Sequence, residues 1–407
     1  MFAPHSMQAL RTSSLRAPRS RAGRATIAFG LTALALLGGR ATARPNGSTD
    51  GRPDQIYVRH ARTGEIKIVS GTITTDGIDK IVVDRSGKEA KFDSALVQEV
   101  VWGKSSTEFA EGITYFDRKD WENASAKFLL AAGEDEREVV QAAARLYAAR
   151  ALMGWGTQDA AHYSEAASQF DRYIASYSSL REAPLARSLQ ARNAWLGGDA
   201  TKAGQQYRAL FEEGTGAVPT PGYQLGLCMK AGLQAARALA ESGDTLAARE
   251  IYGTLNGRAR SAAAAAEEGT VGRMLFTHLE TEAALGPGFV DVVSEQFDQA
   301  ITFFNGQLTT ARSTHDATAL YGATYGMALA LYGKGEVRKA QLQFATVSAL
   351  DYTDDDRSAA AKLGLARCYT DLGDAESVPA ARGLLTEIVE RYGDTPSALT
   401  ARELLKQ

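Results

Sequence analysis

The chain reads as mainly α: an α-solenoid of about seven helical hairpins over residues 105–407, preceded by a small β-barrel-like module. Three observations predict this. A pattern of small and aromatic residues recurs along most of the chain. Before it, residues 55–102 alternate apolar and polar side chains with the period of a half-buried strand. The first residues follow neither pattern and have the composition of an address label.

In order along the chain, "RAGRATIAFGLTALALLGGRATARP" has an arginine-rich lead, an apolar run from Thr26 to Leu37, and small residues at Ala41 and Ala43. That is the plan of a secretory signal peptide, residues 1–43, with cleavage expected after Ala43. The run falls short of the ~20 apolar residues that span a bilayer, although retention as an anchor stays open. No cysteine follows for a lipid, no arginine pair suggests twin-arginine export, and no later segment reads as a span. The mature chain is therefore expected outside the cytoplasm, in the periplasm or cell envelope. Removing Arg11, Arg16, Arg19, Arg21, Arg24 and Arg40 takes the 45 basic side chains to 39, against 48 acidic ones. So acidic a chain lacks the clustered cations that phosphate neutralisation needs, which argues against nucleic acid.

A polar linker, "RPNGSTDGRPD" (44–54), leads to the β-rich module, residues 55–103. Ile66/Ile68 and Ile81/Val83 alternate as in strands, and Asp76-Gly77 and Ser86-Gly87 fall where tight turns want residues tolerant of positive φ. About five short strands are expected, too few to be stable unless they curl up or lean on a neighbour. The order "G-x-I…I-x-V-x-D-x-x-G-K" followed by an apolar strand resembles small SH3-like or Sm-like barrels, which often mediate protein contacts.

The stretch "GITYFDRKDWENASAKFLLAA" (112–132) sets the repeat: Gly112, Tyr115, Ala124, Phe128 and Ala131, spaced three, nine, four and three apart. Small residues let two antiparallel helices approach, and the aromatics fill the space beside them. The order resembles the tetratricopeptide repeat (TPR), a hairpin of about 34 residues that stacks into solenoids. Ala203, Tyr207 and Leu210 repeat its second half, as do Ala248, Tyr252 and Leu255, and Ala340, Phe344 and Val347. In each copy a glycine-containing turn ends the first helix and a polar residue starts the second. Weaker copies carry Ala166, Phe170 and Tyr173; Ala300 and Phe304, after an expected breaker at Gly286-Pro287-Gly288; and Ala366, Tyr369, Ala381, Leu385 and Ile388. The family's proline near the repeat end is mostly missing, and the first unit lacks its tryptophan. The closing "VERYGDTPSALTARELL" resembles repeat ends of bacterial outer-membrane assembly and Tol-Pal coordinating proteins.

No constellation for catalysis emerges. His5, His60, His162, His278 and His315 are scattered, and neither cysteine has metal or redox spacing. Cys228 and Cys368 read as buried, unpaired thiols, with a disulfide between them still open. "LYGKGEV" lacks the first glycine and the hydroxyl of a phosphate loop. "DYTDDDR" (351–357) reads as a helix start, and "ARSAAAAAEEG" (259–269) as a helix end. No enzyme activity, cofactor or metal is expected.

A solenoid's usable surface is its concave groove. The repeat alignment puts Arg192 and Arg237 at equivalent groove positions, with Arg145 one turn earlier in the preceding unit; Phe109 and Trp195 are candidate apolar contacts. These arginines could grip a carboxylate or acidic peptide, yet pairing with local acids or solvent is the simpler expectation, as repeat packing is for the aromatics. The resemblance implies an interaction scaffold holding a protein or extended peptide. A self-associating or cell-wall-binding structural element is the alternative, with an accessory subunit of an envelope enzyme a third.

Overall fold

The computed structural model describes residues 52–60, 63–373 and 376–406. The expected signal peptide and most of the linker lie outside the described residues. The sheet comes first: β1 (Asp54–Arg59), β2 (Ile66–Asp76), β3 (Lys80–Asp84), β4 (Glu89–Asp93), a 3-10 turn (Ser94–Leu96) and β5 (Val97–Val101). All neighbours run antiparallel in the order β4-β3-β2-β1-β5.

The long β2 serves two partners. Ile66–Gly71 pairs with β1, and Thr72–Asp76 pairs with β3 across a register shift. Gly71 is required there, because a Cβ would come within 2.4 Å of Val83 Cγ1 and 2.5 Å of the Asp84 carbonyl oxygen. Ile56, Val69, Ile73, Ile81, Val83 and Val97 form its core. Ile81 and Val83 are inward as the alternation predicts, whereas Ile66 and Ile68 point out, 50% and 53% exposed. Ser86 and Gly87 both take positive φ, the expected hairpin turn. Gly77 does not. It opens the β2–β3 turn all the same, its N–H donating to the Lys80 carbonyl at 3.0 Å, and bridges to Leu180 in the solenoid.

Two buried carboxylates fasten the sheet to the helices. Asp54, 1% exposed, accepts from the backbone N–H of Ile73 (2.7 Å) and of Gly103 (2.9 Å), and takes both Arg137 nitrogens at 3.1 and 2.7 Å. Asp76 accepts from Arg181 Nε at 2.8 Å and Nη2 at 3.4 Å, while the Asp76 and Ser179 carbonyls exchange backbone bonds with Arg181 and Ile78.

The helices form seven hairpins and a closing helix among the described residues. The pairs are α1 (Thr107–Asp117) with α2 (Trp121–Glu134), α3 (Glu138–Gly156) with α4 (His162–Ser176), and α5 (Ala183–Leu196) with α6 (Ala200–Thr215). They continue with α7 (Leu225–Glu241) and α8 (Thr245–Ala265), α9 (Val271–Val293) and α10 (Phe297–Thr314), and α11 (Ala317–Gly333) and α12 (Val337–Leu350). The last pair is α13 (Asp355–Leu372) with α14 (Ser377–Arg391), and α15 (Pro396–Leu405) closes the stack. Each second helix packs on the next hairpin's first helix. This is a tetratricopeptide-like α-solenoid.

Turn chemistry sets the hairpins. In five of the seven hairpins the residue before the second helix's N-cap takes positive φ: Lys119, Gly198, Gly243, Glu295 and Gly335. Asp120, Asp199 and Asp244 then cap, accepting from Asn123, Lys202 and Ala247 N–H at 3.4, 2.9 and 3.1 Å. All the repeat-signature alanines are fully buried, and Phe128 lies on Gly112, whose Cβ would sit 2.8 Å from the ring.

The expected breaker is not one. Gly286-Pro287-Gly288 lies inside α9. Its glycines admit rings: a Cβ on Gly286 would meet Tyr252 at 2.2 Å, and one on Gly288 would meet Phe303 at 2.4 Å. Gly326 receives Phe304 and Gly364 receives Phe344 in the same way, at 2.1 and 2.6 Å. In these three places, Gly286, Gly326 and Gly364, a ring of one hairpin's second helix seats on a glycine in the next hairpin's first helix. Cys228 and Cys368 are buried and unpaired.

Candidate partner-binding groove

First helices of successive hairpins touch one another, so α3, α5, α7, α9, α11 and α13 make the inner row of the superhelical turn. On three of them an arginine follows a fully buried alanine: Ala149-Arg150, Ala191-Arg192 and Ala236-Arg237. Of these, Arg192 and Arg237 reach across the turn to the start of α13.

Arg192 and Arg237 are engaged by the chain itself. Arg192 donates to both Asp356 oxygens, at 3.1 and 2.8 Å, and to the Asp394 carbonyl at 2.9 Å. Its guanidinium carbon also lies 5.9 Å from the Trp195 ring. Arg237 Nη2 reaches Glu282 at 3.0 Å and Asp354 at 2.8 Å. Glu282, 2% exposed on α9, binds Arg357 with its other oxygen, and Arg357 Nε donates to Asp351 at 2.6 Å. Three arginines and four carboxylates thus join α5, α7, α9 and the start of α13.

The electrostatics keep the network charged. Burial alone would raise the Asp354 pKa, but the Arg237 and Arg357 charges outweigh it and hold the carboxyl well below its usual range. Burial likewise works against Arg192 and Arg237, and their acid partners more than offset it, so both stay protonated. Any acidic ligand aimed at these two arginines must displace Asp354, Asp356 or Glu282.

The stretch "DYTDDDR" does start α13 as expected: Asp354 is the N-cap, accepting from Arg357 N–H at 3.0 Å. What the spacing did not reveal is that the same acids reach helices more than a hundred residues earlier. A row of carboxylates at one end of a repeat array and a row of arginines near its middle were the available signal.

Among the other candidates, Phe109 is buried between Phe128 and Tyr147, with ring centroids 5.6 and 6.0 Å away, and is repeat packing. Trp195 is also buried, its Nε1 donating to Glu241 at 2.9 Å. Arg145 is half-buried on α3, and its Nε is shielded without a hydrogen-bond partner. Arg150, which the sequence reading passed over, lies against the faces of Phe116 and Tyr147 at 5.3 and 4.9 Å. Among the described residues, neither Arg145 nor Arg150 has a carboxylate partner.

No family model and no curated protein matches the chain. Among solved structures, a tetratricopeptide repeat protein from Parabacteroides merdae is similar over 74% of this chain and 96% of its own, at 12% identity and a TM-score of 0.44. The nearly identical TPR-like repeats of a candidate kinesin light chain from Podosopora anserina are similar over 51% of this chain and 96% of their own, at 16% identity and a TM-score of 0.28. The fold stands on this chain's own hairpin packing.

Proposed function

We propose that this protein is a non-catalytic, exported scaffold that holds an extended, acidic protein segment on the inner face of its solenoid. The observation that carries this reading is a pair of arginines on α3 without carboxylates: Arg150 is met only by aromatic faces and Arg145 keeps a shielded donor unused. An arginine stacked on rings and free of carboxylates is a ready donor for a carboxylate ligand. The arginine-rich and apolar start of the chain, with Ala41 and Ala43, supports export to the periplasm or envelope.

The test is fluorescence anisotropy of residues 44–407 against labelled extended peptides of acidic, neutral and basic composition. Acidic peptides should bind, and Arg150→Glu with Arg145→Glu should weaken them at least about tenfold, the loss of one charge-assisted contact. Equal binding of all three peptide classes, or no response to the double reversal, sinks the reading.

A second reading, self-association, is favoured by Ile66 and Ile68, which stand exposed side by side on the outer face of β2 next to half-buried Tyr57. It predicts a mass that rises with concentration and falls back to monomer in Ile68→Lys.

A further inference from the structure

The hairpin of α9 and α10 is uneven. α9 runs 23 residues and α10 18, and α11 starts directly after His315 and its N-cap Asp316. α11 therefore begins well short of the level at which α9 begins. Thr281, nearly three turns into α9, is the residue that meets Asp316, its hydroxyl donating to Oδ2 at 3.2 Å. Met274, Thr277, His278 and Thr281 share one face of α9 at helical spacing, and with Asp316 and Thr318 of α11 they line a cleft of about 380 Å³. Met274 is 57% exposed at its rim.

Hydroxyls in the cleft behave differently from those on neighbouring helices. Helical threonines such as Thr302, Thr309, Thr346 and Thr370 turn the hydroxyl back to the carbonyl four residues earlier. Thr281 instead reaches Asp316, and Thr318 Oγ1 lies 3.2 Å from Nδ1 of His278. Among the described residues, the Thr277 hydroxyl and His278 Nε2 have no partner. Charge is balanced here. Asp316 uses both oxygens, on Thr281 and on the Ala319 N–H at 3.0 Å, and Arg273 on the same wall gives Nη1 to the Ala266 carbonyl at 3.4 Å. An anion would meet Arg273 with Asp316 beside it, and a cation the reverse, so neither gains a net counter-charge for the water it loses. What the lining offers is hydroxyls that both donate and accept, one imidazole nitrogen, and the apolar surface of methyl and thioether groups.

We infer that the cleft between the starts of α9 and α11 binds a neutral saccharide, whose hydroxyls bond Thr277, Thr281, Thr318 and Nε2 of His278 while its C–H face lies on Met274. A volume near 380 Å³ is at the small end of ligand sites and suits one or two sugar rings. The cleft shares no residue with the arginines of α3, α5 and α7, so its test stands apart from that of the proposed function.

The experiment is saturation-transfer difference NMR on the full chain, followed by titration, with cellobiose and N,N′-diacetylchitobiose as neutral probes. Glucuronic acid, glucosamine and an end-blocked Gly-Ser-Gly-Ser peptide are run beside them. At least one disaccharide should receive saturation, and the charged sugars and the peptide should not. Thr318→Val should weaken binding about threefold to tenfold, the loss of one neutral hydrogen bond. Thr277→Trp, at an exposed position that makes no bond, should fill the cleft and abolish binding. Thr302→Val on α10, whose hydroxyl is turned back on its own helix, should change nothing. No transfer to either disaccharide up to about 10 mM overturns the site. So does a charged sugar or the peptide binding as tightly as the disaccharide, and so does disaccharide binding that survives Thr277→Trp or is unchanged in Thr318→Val. If Thr318→Val fails to fold, Thr277→Trp in protein with native far-UV dichroism applies the same criterion.

Discussion

At the residue scale, Glu282 shows how much one side chain carries. It is buried between Arg237 and Arg357, so neither guanidinium loses its counter-charge on leaving water. Glu282→Gln leaves both with half a partner and should cost about 3–5 kcal/mol, read as a lower urea midpoint at unchanged slope. Glycines make a sharper test, because one substitution should act with opposite signs. Gly326→Ala drives a methyl group into the Phe304 ring and should destabilise by about 1–3 kcal/mol. Gly306→Ala, exposed on α10 with nothing within 4 Å, should stabilise by about 0.5–1 kcal/mol. Both are measured by denaturant unfolding.

The Asp354 carboxyl gives the pH dependence at this scale. Its folded pKa lies below the unfolded value of about 3.9, so its contribution is present above that pH and is lost as pH falls through and below it. The melting temperature of the wild type should therefore fall more steeply from pH 5 to 3 than that of Asp354→Asn. Equal slopes would mean that the Arg237 contact is not felt in the folded state.

At the element scale, three of the second helices, α2, α6 and α8, are started by one device, a positive-φ residue followed by a capping aspartate. Glycine at the first position and aspartate at the second are strong local signals, and hairpins carrying both were legible. The hairpin with Glu295-Gln296 uses non-glycine, non-aspartate residues for the same geometry, so its turn was not read from that signal. Gly286-Pro287-Gly288 misleads for a related reason. Locally it spells a break, but Tyr252 and Phe303 need space in α9 that only glycine leaves, and packing overrides propensity. Ile66 and Ile68 mark β2 as a strand yet stand on its outer face: alternation identifies a strand without saying which side meets the core.

At the scale of the whole molecule, the sheet is part of the solenoid's packing rather than a free appendage. Arg137 and Arg181 on the helical side both rely on carboxylates from the sheet, Asp54 and Asp76. A chain beginning at residue 105 leaves Arg137 without its carboxylate and Arg181 with Glu182 alone, and uncovers the helices they pin. It should unfold at a lower denaturant concentration than residues 44–407, and Arg137→Met with Arg181→Met should recover part of the loss. Indistinguishable midpoints for the two lengths would show that the sheet docks without supporting the stack.

The sequence by itself determined the hairpins, their number and their repeat positions, because close approach of helices at a small residue and capping at a turn are local requirements written in neighbouring residues. Only the tertiary structure decided what the inner face does. Arg192 and Arg237 were visible as a row, and Asp354 and Asp356 as a helix start, but their meeting depends on how small rotations between successive hairpins accumulate over five of them. That sum is set by many packing contacts at once, and no stretch of sequence contains it.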